Sequence, residues 1–120
     1  MFKVDVGICV NMDEREVDRW VTARCSNKND LANFRKHLAE WDSTPNAEGR
    51  MCPLGGGFVV LLRANKGHFY NFVGLLAHEM VHVTQYLLRD RRVTLDENNE
   101  EVHAYLTEHL VEHGLRRVCK

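Results

Sequence analysis

Between Phe69 and Leu88 the chain sets Phe72, Val73, Leu75, Leu76, Met80, Val83 and Leu87 at helical spacing. That pattern predicts a long helix with most of its girth out of water. Into it falls His78-Glu79-Met80-Val81-His82. Charged groups amid such a face need partners, and a metal ion supplies one. Residues i and i+4 of a helix stand one above the other. The imidazoles of His78 and His82 therefore reach a single cation of zinc's size. Glu79 falls off that row, where it reaches water activated by the metal and acts as general base.

The rest of the chain reads as an α+β arrangement. Val4, Val6, Ile8 and Val10 alternate with Asp5, Gly7 and Cys9, which predicts a strand. Asp13 caps a short helix to about Trp20, with Val17, Trp20 and Val21 on one face. Asp30 caps a second, striped by Leu31, Phe34, Leu38 and Trp41, and residues 42–50 read as a loop. Trp20 and Trp41 are core anchors. Gly55-Gly56-Gly57 precedes Phe58–Arg63, an apolar, β-branched run read as a strand. With no following GKS or GKT, the triplet is a flexible entry to that strand and not a phosphate loop. Asn65-Lys66-Gly67 is a turn. Arg89 to Arg92 end the long helix with favourable charge. Thr94-Leu95-Asp96-Glu97 is a capping box opening a last helix to about His113, stopped by Gly114.

Composition bounds the function. A chain of 120 residues is expected to be one domain, residues 1–120, with one modest core. Its 44% apolar and 28% charged residues are ordinary for a soluble protein, and a net charge of -1 with mixed signs predicts no nucleic-acid or membrane partner. The longest apolar run, Phe58–Leu62, is too short to span a bilayer. The early charges of Met1-Phe2-Lys3-Val4-Asp5 give no secretory h-region. A cytoplasmic location follows as the expectation, and with it free thiols at Cys9, Cys25, Cys52 and Cys119. Cys52 and Cys119, beside a loop and a terminus, are candidates for exposure.

A zinc site needs a third protein ligand, and a catalytic one keeps a position open for water. His82 is followed by Val83-Thr84-Gln85-Tyr86, so no HExxHxxGxxH extension exists and the last helix must supply it. Glu101, Glu100, Glu97 and His103 are the candidates, with Glu101 favoured. Glu101, Tyr105 and Glu108 share a face, and Glu100 lies about 100° from Glu101. Tyr105, His103, His109 or His68 would donate to a developing oxyanion. Glu108, Asp96 or Glu97 would orient a ligating histidine.

HExxH on a helix, after a short strand and before a helix bearing Glu, resembles the gluzincin class of zinc metallopeptidases. Glu101-Val102-His103-Ala104 fits the ExxA sequence of that class, which implies Glu101 as the third ligand. His78 to Gln85 also resembles the HExxHxxQ pattern of small, phage-type peptidase-like proteins. The resemblance covers roughly residues 58 to 111. It implies a minimal zincin-like domain: a small sheet packed on helices, the metal between the last two, and the strand near Phe58–Arg63 holding extended substrate. The implied activity is zinc-dependent hydrolysis of a peptide or protein substrate, in a host cell's cytoplasm for a phage-encoded chain. The alternative is a non-catalytic zinc-binding protein that acts by binding a partner. Oligomeric state is not set by the sequence.

Overall fold

In the computed structural model, residues 6–64, 69–92 and 100–118 are described. Val4 and Asp5, His68, the Thr94–Glu97 capping box with Asp96 and Glu97, and Cys119 lie outside them. The elements are β1 (Val6–Val10), α1 (Glu14–Thr22), α2 (Lys28–Asp42), β2 (Gly49–Leu54), β3 (Gly57–Leu62), α3 (Phe69–Asp90) and α4 (Glu100–Val118). A three-stranded sheet and four helices make the fold α+β, as expected. The chain divides into two compact units, Met1–Ala64 and Asn65–Lys120.

The first unit is built around β3. Strand order is β1-β3-β2, with β1 parallel and β2 antiparallel to β3. All five residues from Phe58 to Leu62 are buried, the run of apolar side chains a central strand requires. Alternation sends Val59 and Leu61, with Cys9 and Cys52, to the face that packs on Val17, Val21, Phe34, Leu38 and Trp41 of α1 and α2. Trp20 lies over Gly7, where any side chain would collide with the indole. Beyond β1, Asn11 at φ 54° donates its N–H to the Leu62 carbonyl and accepts from the Ala64 N–H at 2.9 Å. Arg63 lies 3.6 Å from the Trp41 ring centroid and donates to the carbonyls of Trp41, Thr44 and Ala47. One guanidinium thus satisfies the backbone of the segment between α2 and β2.

Four expectations change here. The cap of α2 is Asn27, whose Oδ1 accepts from the N–H groups of Asn29 and Asp30. Asp30 instead sits in the first turn, where its charge still suits the helix dipole. Part of the expected loop is β2, at the edge of the described sheet, a place that tolerates Pro53. The glycine run is therefore a tight β2–β3 hairpin, with Gly55 at φ 58°, where a side chain would also meet the Asp30 carboxylate. Cys52 is fully buried in β2, and no disulfide joins Cys9, Cys25 and Cys52 to one another. Burial pushes the Cys9 thiol up to about 11.

In the second unit helix α4 follows α3 in the chain and packs against it. Thr84, buried on α3, meets Thr107 with the hydroxyl oxygens 2.9 Å apart. Gly114 does not stop α4, which continues to Val118; Gly114 is buried there, and Arg116 pairs with Glu112 one turn back. None of the described helices is long and apolar enough to cross a membrane.

Candidate metal centre

Helix α3 runs unbroken through the HExxH segment and divides it by burial. Glu79 and Met80 are buried, at 5% and 1% exposure, whereas His78 and His82 face water. One turn apart, the two imidazoles meet edge to face, with centroids 4.9 Å apart and planes at 75°. Their Nε2 atoms are 3.3 Å from each other. A tetrahedral zinc with Zn–N bonds of 2.0–2.1 Å sets two nitrogen ligands roughly 3.3–3.4 Å apart. The pair therefore has the bite that such an ion needs.

Glu79 lies beside this pair and is set back into the protein. Burial pushes its carboxyl above the ordinary carboxylate range, while His82 and His78 pull it down. A carboxylate shifted in that direction is a stronger proton acceptor than one in water, which is what general-base work requires.

The carboxylate expected to complete the ligand set is elsewhere. Among the described residues, no three His, Cys, Asp or Glu side chains converge as a metal's ligands. The reason lies in how α4 meets α3. Its inward side carries Thr107, Leu110 and Gly114, with His103 half-buried one turn before Thr107. Glu101, Tyr105 and Glu108 do share a face, and that face is exposed. Glu101 is exposed in the first turn of α4, well before the Thr107 that meets Thr84. Glu100 is exposed at the first residue of α4, and Glu97 is outside the described residues.

Of the softer candidates, Tyr105 is 67% exposed. The Nε2 of His103 is buried and has no hydrogen-bond partner among the described residues. His109 is exposed and stacks on His113, a residue the sequence analysis used only to mark the end of a helix. The signal for His113 was present: residues 109–113 spell the metal motif in reverse. A cavity of about 460 Å³ in the first unit, lined by Asp30, Asn33, Lys36, His37, Glu40, Pro53 and Gly55, contains none of the expected site residues. No protein-family model, curated protein or solved structure matches this chain.

Proposed function

We propose that the chain is a zinc-dependent peptidase in which His78 and His82 hold the metal and Glu79 moves the proton. The observation that carries this reading is the 3.3 Å separation of the two exposed Nε2 atoms, one turn apart, with the buried Glu79 between them in sequence. Zinc when bound supplies Lewis acidity, polarising a carbonyl and making water a better nucleophile. Glu79 accepts the proton of the attacking water and returns it to the departing amine, so the carboxylate ends the cycle as it began. Its desolvated setting favours the first transfer. The strand expected to hold extended substrate, near Phe58–Arg63, is the central strand β3, paired with β1 on one side and β2 on the other, so its edges are already taken.

A second reading, a zinc-binding protein that acts by binding a partner, is favoured by the position of Glu101. Among the described residues no carboxylate joins the histidines, the arrangement in which a partner protein's donor would complete the ion. Glu79→Gln separates the two. The amide keeps the volume and cannot take the proton, so the variant is expected to retain zinc and lose about 10²–10⁴ in cleavage rate. Cleavage of an unbiased peptide library, read by mass spectrometry, measures this. Undiminished cleavage by the variant rejects the role of Glu79, and no cleavage by zinc-loaded wild type favours the partner-binding reading.

A further inference from the structure

Helix α4 carries a second histidine pair that the reading above does not use. His109-Leu110-Val111-Glu112-His113 is HxxEH, the order of the α3 motif reversed. Reversal keeps the property that matters for coordination, two imidazoles at i and i+4 on one helical row. His109 and His113 are both exposed, with ring planes 18° apart and centroids at 6.3 Å. Leu110, between them, is 5% exposed on the inward side of α4, and Gly114 beside His113 is buried. These two residues fix which way α4 is turned, and so keep the histidine row towards water. Glu112 is held by Arg116 at 2.6 Å and leaves the row to the imidazoles.

We propose that His109 and His113 form a second divalent-metal site, distinct from His78 and His82, for ions that favour imidazole nitrogen: Zn²⁺, Co²⁺, Ni²⁺ or Cu²⁺. Stacked rings of exposed histidines reach a shared ion by side-chain rotation alone, a motion of picoseconds to nanoseconds. Among the described residues the site has two protein donors, and water fills the remaining positions. The two pairs do not gather into one four-histidine group among the described residues. An ion bridging one turn of α4 binds the folded helix and not the unfolded chain, so occupancy raises stability.

The experiment titrates the full-length chain with Ni²⁺ alone by calorimetry, in a His78→Ala/His82→Ala background that removes the first pair. That variant is expected to take up about one equivalent of Ni²⁺, and its thermal midpoint is expected to rise with the metal. Adding His109→Gln, or separately His113→Gln, is expected to abolish both effects. Far-UV circular dichroism checks that each variant keeps its helices, and substitutions at two exposed positions give independent routes to the same answer. Two results overturn the proposal. One is no Ni²⁺ uptake by the folded His78→Ala/His82→Ala chain. The other is uptake that survives both added substitutions, which would place the ion elsewhere, for instance on a thiol.

Discussion

The two compact units use their polar groups in opposite ways. In residues 6–64 such groups close the fold: Asp13 accepts from the Glu16 N–H at 2.8 Å, Asn27 caps α2, and Arg63 gathers three carbonyls under a tryptophan. In the helix pair, polar groups stand where stability alone would not put them. Glu79 is buried and raised by desolvation, His103 keeps a buried nitrogen without a hydrogen bond among the described residues, and two histidine pairs face water. Departures from local consistency collect where proteins carry chemistry. The proposed function would give scaffold work to the first unit and chemistry to the second, a division that substitutions can break.

The largest effect is expected at His78. Structural zinc sites contribute about 10–16 kcal/mol of apparent binding energy in small domains, and a two-histidine site loses its bite with one imidazole. In a His109→Gln/His113→Gln background, His78→Ala is therefore expected to abolish zinc binding, measured by competition with a chromogenic chelator. Glu101→Ala, at an exposed position away from the pair, is expected to leave the affinity unchanged. A comparable loss in Glu101→Ala would show that the first turn of α4 moves to the metal in solution.

Next comes the scaffold. Phe34 is 1% exposed in the core between α2 and the sheet, and Phe34→Ala is expected to cost about 3–5 kcal/mol by denaturant unfolding. The same variant should leave zinc affinity intact wherever the chain remains folded. A parallel loss of zinc under native conditions would break the assignment of scaffold and chemistry to different units.

The smallest effect is electrostatic. Arg35 donates to both carboxylate oxygens of Asp18, at 3.0 and 3.2 Å, and these bonds hold the Asp18 carboxyl below its ordinary range. A depressed carboxylate stabilises the fold above its unfolded value and ceases to do so as pH falls through the folded one. Asp18→Asn is expected to lower Tm near pH 7 by about 2 °C or less, since the pair is exposed. The difference should vanish towards pH 2. A difference that persists there would mean that Asp18 acts through packing instead.

What the sequence revealed follows the same division. The burial stripes of α1, α2, β3 and α3 were legible because periodicity reports which side of an element leaves water. Asn27 and Asp30 compete for one cap, and only the backbone of the first turn decides between them. Strand β2 was hidden by Pro53 and by having a single fully buried residue, Cys52. The histidine pair was legible because i, i+4 geometry is local. The placement of Glu101 relative to that pair was not, because it depends on which residue of α4 meets Thr84, a long-range fact that no helical wheel contains. Gly114 misled for a related reason: a small residue serves either to end a helix or to be buried within one.

The register of β1 on β3 has a consequence for time. Val6 pairs with Phe58 and Val10 with Leu62, so this ladder closes only after two helices and a hairpin have been traversed. The β2–β3 hairpin, joined by Gly55 and Gly56, forms from neighbours within about 1–10 μs in isolated systems. Chain closure over so long a span carries an entropy cost before any contact rewards it, so β1 docks late and sets the pace of folding. Pulse-labelled hydrogen exchange would report this order as protection of the β2–β3 amides before those of Gly7 to Val10. Simultaneous protection would mean that the sheet forms in one step. Until β1 arrives, the central strand offers an open parallel edge, the interval in which a newly made chain is most exposed to pairing with another copy of itself.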